Sequence, residues 1–230
     1  MGVKQSIALL ATAAAVLAAP AAASAQASLT VDPVDRCYRE QSTVALVGEG
    51  FTPNAPVGFS RNGITLGDPI PADASGQINA NLTLPDLVSG QQRLTYLATD
   101  GSNPAVTAQI GLLVSATDVR VKPRHGAPNR RLTITGRGFT RAGGRSLWAH
   151  IVRAGRPART ARSLRVGRLH GACKTIKTRK RLFPAGAAAG GYHVQFDTFR
   201  RYESTRVVKV EFDVKVFRTA RSAYAATTSG

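Results

Sequence analysis

Leu46-Val47-Gly48-Glu49-Gly50-Phe51-Thr52 is written a second time, 88 residues later, as Ile134-Thr135-Gly136-Arg137-Gly138-Phe139-Thr140. In both copies the approach alternates apolar and polar, Val44 and Leu46 in the first and Leu132 and Ile134 in the second. Period two is the signature of a β-strand with one buried face, so each copy reads as a strand that runs into a glycine turn capped by one aromatic. Self-similarity at this spacing predicts two copies of one unit.

Working outward, the rest of each copy repeats the alternation. Val57 to Ser60 and Ile64 to Leu66 read as strands around Asn62-Gly63, a pair suited to a type I′ hairpin because both residues tolerate positive φ. Asp73-Ala74-Ser75-Gly76 is a turn before Ile78, Ala80, Leu82 and Leu84, and Pro85 ends the pairing because it has no N–H to donate. Leu94, Tyr96 and Ala98, then Val106 to Val114, continue the alternation, and the copy is expected to hold seven short strands and no helix. The second copy follows the same order: Leu147 to Val152, Phe183-Pro184, Tyr192 to Asp197, and a closing strand with Val208, Val210, Phe212, Val214 and Val216 on one face. The expected fold is all-β, two tandem immunoglobulin-like β-sandwiches joined by a short linker, Ser115 to Asp118.

The ends are different in kind. Residues 1–25 combine Lys4, an apolar run from Ile7 to Ala19, Pro20 and small residues ending in Ala25. The run is too short to span a bilayer, which needs about 20 residues, and reads as a cleavable signal peptide, cut after Ala25 or Ala27. The expected organisation is therefore a signal at 1–25, a mildly acidic sandwich at 28–117, a strongly basic one at 118–218, and a disordered tail at 219–230. With no second apolar segment, the mature chain is expected to be secreted or associated with the cell envelope, without a transmembrane anchor. Cys37 and Cys173 are the two cysteines. Export favours a disulfide between the copies, and two unpaired thiols are the other reading.

A strand, Gly-x-Gly-Phe-Thr-Pro, a hairpin, then Asp-x-Ser-Gly before a strand ending Leu-Pro resembles secreted bacterial immunoglobulin-like domains of the IPT/TIG-like group. The first copy carries this through Gly48, Gly50, Phe51, Pro53, Asp73, Gly76 and Pro85. The second has Arg141 in place of Pro53 and lacks the Asp-x-Ser-Gly turn, so its assignment rests on Gly136, Gly138, Phe139 and the closing strand. The resemblance implies spacer, adhesive or carbohydrate-associated roles, with DNA contact in a subset.

The formal net charge of +18 is unevenly held. Residues 26–117 carry eight acids against four bases, whereas residues 118–230 carry 26 bases against five acids, a net +21. Arg153, Arg156, Arg159, Arg162, Arg165 and Arg168 recur every third residue. That spacing matches polyproline II, which would set the guanidinium groups along one edge. Lys174, Lys177, Arg179, Lys180 and Arg181 follow closely. Together they predict a face for phosphate, sulfate or carboxylate groups of an anionic envelope polymer or polysaccharide. Arginine outnumbers lysine 24 to 7, so compositional bias is the competing explanation. A spacer without a ligand and an extracellular nucleic-acid binder are the other readings. The latter would need base-stacking aromatics, with Phe183, Phe199 and Tyr202 as the candidates.

No catalytic nucleophile, base and orienting group can be named together, and no cofactor motif is present. His125, His150, His170 and His193 show no ligand spacing, so no metal is expected. Asp100 and Asp197 read as turn caps, Trp148 as a core residue, and Tyr96 and Tyr192 as corner tyrosines. Oligomeric state is not legible.

Overall fold

The structure is a computed structural model that describes residues 26–140, 142–156 and 162–217. The expected signal at 1–25, Arg141, Arg159 and the 219–230 tail lie outside the described residues. The first half consists of β1 (Ser28–Asp32), β2 (Tyr38–Arg39), β3 (Thr43–Glu49), β4 (Pro56–Arg61), β5 (Ile64–Pro71), β6 (Ile78–Thr83), β7 (Gln91–Asp100) and β8 (Thr107–Ser115). The second consists of β9 (Asp118–Lys122), β10 (His125–Gly126), β11 (Arg131–Arg137), β12 (Ser146–Arg153), β13 (Arg162–Arg168), β14 (Ile176–Arg181), β15 (Gly190–Asp197) and β16 (Val210–Val216). Among the described residues each half has eight strands rather than seven. The additional ones, β2 and β10, are two residues long and pair in parallel with β8 and β16, too short to leave an alternation in the sequence.

The halves share one topology. A three-stranded sheet β1-β3-β6 faces a five-stranded sheet β2-β8-β7-β4-β5, and adding eight to every label gives β9-β11-β14 and β10-β16-β15-β12-β13. Each pair of sheets encloses its own apolar core, as alternating strands require when one face meets water. The molecule is thus an all-β arrangement of immunoglobulin-like sandwiches.

The repeated phrase sits at the same place in both. A Cβ on Gly48 would lie 2.7 to 2.9 Å from Ile78 and Phe51, so the strand packs closely only without a side chain. Phe51 and Phe139 are then buried as plugs of the two cores. The hairpin at Asn62-Gly63 has positive φ at both residues, 49° and 82°, as the type I′ geometry needs. At the other turn, the Asp73 carboxylate accepts from the N–H groups of Ser75 and Gln77 and from the Ser75 hydroxyl, which hold its pKa below the ordinary value.

Where the halves meet, the chain is tied at several points. Cys37 and Cys173 form a buried disulfide. The Glu40 carboxylate accepts from the N–H of Thr117 at 2.6 Å and of Leu87 at 3.1 Å, and the Thr117 hydroxyl donates to the Gly138 carbonyl at 3.1 Å. Gly138 has φ 76°, and a Cβ there would collide with the Ala116 carbonyl. Its N–H in turn donates to the Cys173 carbonyl at 2.9 Å. The second copy's turn glycine is therefore built into the junction, next to the disulfide.

Two glycines with similar φ separate conformational cost from steric cost. Gly63 has open space around its missing Cβ, while Gly76 (φ 77°) has the Phe51 carbonyl there. Gly63→Ala should lower unfolding free energy by about 1 kcal/mol, the left-handed penalty alone, and Gly76→Ala by about 3 kcal/mol because overpacking is added. Chemical denaturation of both variants checks the ranking. Replacing both cysteines by serine should cost up to roughly 5 kcal/mol, since the bond joins residues 136 apart in the sequence.

Candidate anion-binding surface

On β9, β11 and β14 the register decides which cations share a face. Val119, Val121, Leu132 and Ile134 point into the core, so the residues between them point outward. Arg120 is opposite Thr135, which is opposite Lys177, and Lys122 is opposite Thr133, which is opposite Arg179. Arg131 is opposite Arg181. Three outward rows therefore carry six exposed cations. Rows are about 7 Å apart along the strands, and the flanking strands about 10 Å apart across β11. Asp118, at one end, is held by Arg137 at 3.5 Å and Arg120 at 3.8 Å. No other carboxylate projects from these three strands.

The first sandwich supplies an internal control. Its matching rows are Thr30, Val47 and Asn79, then Asp32, Ala45 and Asn81, then Thr43 and Thr83. Six positions that carry Thr, Asn or Asp in one copy carry Arg or Lys in the other, on the same scaffold and under the same compositional pressure.

The structure divides the residues singled out in the sequence. Lys177, Arg179 and Arg181 belong to this face. Lys180 lies opposite Leu132 on the inward side of the edge strand yet is exposed there, and Lys174 sits in the turn after Cys173 with φ 50°. The arginine series is not polyproline II. Residues 162–168 are β13, an edge strand paired with β12. A bulge lets Leu147 face Gly167 and Trp148 face Arg165, so Val166 and Gly167 both turn inward and Arg165 and Arg168 both turn outward. A period of three is absorbed by one irregularity. Arg162, opposite Ile151, points to the sandwich interior beside Arg153 at the end of β12 and Arg156 in the following turn. The ladder thus splits between the outer face of the five-stranded sheet and the open end of the second sandwich.

Arg120, Lys122 and Arg131 are members of the cationic face that spacing alone did not reveal. Their signal was the alternation Val119-Arg120-Val121-Lys122. Joining them to Lys177, more than 50 residues away, needs the sheet.

The outer face of β12 and β15 holds a buried polar network. Trp148 is half-buried on this face rather than in the core. His150 is fully buried, with Nδ1 2.7 Å from the Ser163 hydroxyl and Nε2 3.1 Å from Asp197 Oδ1. In the tautomer that carries its proton on Nε2, the ring donates to the Asp197 carboxylate and Nδ1 accepts from the Ser163 hydroxyl. Asp197 also accepts from Gln195 Nε2 at 2.8 Å and from the Phe199 N–H at 2.8 Å. Burial pushes the Asp197 carboxyl up, but these donors and His150 outweigh it and hold the pKa below the usual range. Tyr202 lies edge-on to His150 at 5.8 Å, and Gln195 donates to the Glu203 carbonyl. Ser163, His150 and Asp197 thus form one hydrogen-bonded series of hydroxyl, imidazole and carboxylate that spacing along the chain does not bring together. Through Phe199, Tyr202 and Glu203 the network fastens the segment after β15 onto the sheet.

Asp100 occupies the matching place in the first sandwich. It accepts from the N–H groups of Thr52, Ser102 and Asn103, and the Thr52 bond is the main cause of its lowered pKa. Both aspartates cap turns. Tyr192 donates to the Ala188 carbonyl at 2.8 Å, four residues upstream, as a corner tyrosine does. No group of His, Cys, Asp and Glu among the described residues is arranged to hold a metal ion. No helix among them is long and apolar enough to cross a membrane.

No family model matches the chain, and no curated protein matches it. Among solved structures it is similar to a membrane-anchored protein from Corynebacterium diphtheriae, at 12% identity and TM-score 0.35, over 83% of this chain and 57% of that one. It is similar also to the human OSCAR ligand-binding domain, at 15% identity and TM-score 0.33, over 83% of this chain and 98% of that one. A third is red sea bream transglutaminase, at 12% identity and TM-score 0.31, over 84% of this chain and 32% of that one. The chain spans little more than half of the first and a third of the last. Likeness at this level carries nothing about ligand or activity.

Asp197→Ala should destabilise the chain by about 3 kcal/mol, because His150 loses its buried partner. Asp197 and Asp100 both have folded pKa values below their unfolded ones, so their stabilisation is complete above the ordinary carboxylate pKa near 4 and is lost as pH falls through the folded values. Urea melts between pH 2 and pH 6 should show a falling midpoint on the acid side, with a shallower fall in Asp197→Asn.

Proposed function

We propose that the chain is an exported, non-enzymatic binding protein of the secreted bacterial IPT/TIG-like kind, and that its second sandwich holds an anionic polymer of the cell envelope or extracellular space. The observation that carries this is the replacement of six uncharged or acidic positions of one sandwich by six cations at the same positions of the other. Six like charges on one sheet face repel each other and lower stability unless something neutralises them. Arginine forks and lysine ammonium groups in rows suit the repeated phosphate, sulfate or carboxylate groups of a polymer. The paired Cys37 and Cys173 fit an oxidising compartment, and a signal at 1–25 accounts for arrival there.

Nucleic acid is the weaker reading, because the aromatics it would use are engaged elsewhere. Phe183 is buried against Tyr192, Tyr202 covers His150, and Arg206 lies 3.8 Å over the Phe199 ring.

The first sandwich names the variant that tests the proposal. Arg131→Thr, Lys177→Asn, Arg179→Asn and Arg181→Thr install residues that its matching positions already carry. At low salt, retention on heparin or a teichoic-acid-like polymer should fall by roughly two to three orders of magnitude, at about 1 kcal/mol for each lost contact. Wild-type retention should weaken steeply as salt rises. Arg165→Ser with Arg168→Ser, on the other face, should change retention little. Equal retention of the four-site variant and the wild type would leave the spacer reading in place.

A further inference from the structure

The open end of the second sandwich contains an apolar cavity of about 380 Å³, lined by Ile151, Leu182, Phe183, Pro184, Ala187 and Tyr192. Arg153, Arg156 and Arg162 stand at the same cavity. We propose that it binds one amphiphilic anion, an unbranched alkyl chain with a single carboxylate or phosphate head. The chain would occupy the apolar space and the head would sit among the three guanidinium groups.

Four observations converge on that chemistry. The volume lies within the range of pockets that enclose small ligands. The walls are well fixed, since Phe183 and Tyr192 pack at 4.9 Å between ring centres and the Tyr192 hydroxyl is tied to the Ala188 carbonyl. The polar groups at the cavity are of one sign. Among the described residues none of the three arginines has a carboxylate partner, and the bond from Arg153 to the Ala189 carbonyl, at 3.4 Å, is long. Three guanidinium groups gathered without a counter-charge favour an anion, and apolar walls behind them favour a head that carries a tail. The cavity opens to solvent at the end of the sandwich and is lined from β12, β13 and β15 and the connection before β15, not from the outward face of β9, β11 and β14, so it is a site distinct from the sheet face. Its occupant is either a free fatty acid or the acyl end of a phosphate-headed lipid.

Calorimetric titration of the full chain with octanoate, decanoate, decanol, decyl phosphate and decyltrimethylammonium tests the proposal. One decanoate should bind per chain, about tenfold or more tighter than decanol, and decyltrimethylammonium should not bind. Affinity should rise about fourfold per methylene from octanoate to decanoate, the value of burying each group. Decyl phosphate tighter than decanoate identifies a lipid phosphate as the natural head, and the reverse identifies a free acid; both sustain the proposal. Arg153→Ser, Arg156→Ser and Arg162→Ser together should bring decanoate down to the decanol level and leave decanol unchanged. Ala187→Trp should block both ligands while heparin retention is kept. The proposal is overturned if decanoate binds no tighter than decanol, or if chain length leaves the affinity unchanged. Both results come from the wild type and need no variant to fold. Failure here leaves the polymer face untouched, because its retention is measured separately.

Discussion

Each sandwich closes around one aromatic plug placed by one glycine-containing turn. Phe51 packs against the bare backbone of Gly48, where a Cβ would meet its ring, and the matching Gly136 lets Leu147 and Ile176 close in beside the strand that leads to Phe139. The turn itself then has to leave the strand with positive φ, at Gly50 and Gly138. Against Gly50 lies the entering chain at Ala27, and against Gly138 lies the linker at Ala116 and Thr117. The same close approach that seats the plug therefore brings the incoming chain onto each sandwich. In the second copy it also fixes the link between the halves.

On that shared frame the two copies differ chiefly in what they offer outward. The core-facing positions of β9, β11 and β14 match those of β1, β3 and β6 in apolar character, apart from Thr178 and Lys180 on the edge strand, which stand where the first copy has Ala80 and Leu82. The outward positions change from Thr, Asn and Asp to Arg and Lys. Outward residues of an exposed sheet are free of packing constraints, so charge accumulates there without disturbing the fold. What limits the accumulation is mutual repulsion, which an anionic partner relieves. The disulfide and the Glu40–Thr117 clamp keep this charged sandwich joined to one whose net charge is opposite.

Several particulars show how far the chain can be read in advance. The hairpin at Asn62-Gly63, the Asp73 turn and the alternating strands depend on residues within a few positions of each other, and they fold as local chemistry dictates. The arginine series does not, because pairing with β12 places residues 162–168 in a bulged edge strand rather than in the single regular conformation that even spacing predicts. A bulge opposite Leu147 and Trp148 sends Arg165 and Arg168 to one side, while Arg162 turns inward. Trp148 stands on the outer face, opposite Arg165 and Asp197, and is half-buried there, where the segment carrying Phe199, Tyr202 and Glu203 lies against the sheet at Asp197, His150 and Gln195. His150 is fully buried on the same face, and its partners Ser163 and Asp197 come from different strands.

Sequence alone determined the all-β character, the duplication, the turn chemistry and the charge imbalance, because each is carried by residue type and by spacing along the chain. Only the tertiary structure decided which cations stand together. Arg120 and Lys177 share a row through β11, and Arg153, Arg156 and Arg162 meet at a cavity whose walls come from β12, β14–β15 and β15. Strand register and a single bulge set those groupings, and both arise from pairing between segments far apart in the chain, where the energy of the closed sheet, rather than local preference, selects the partner.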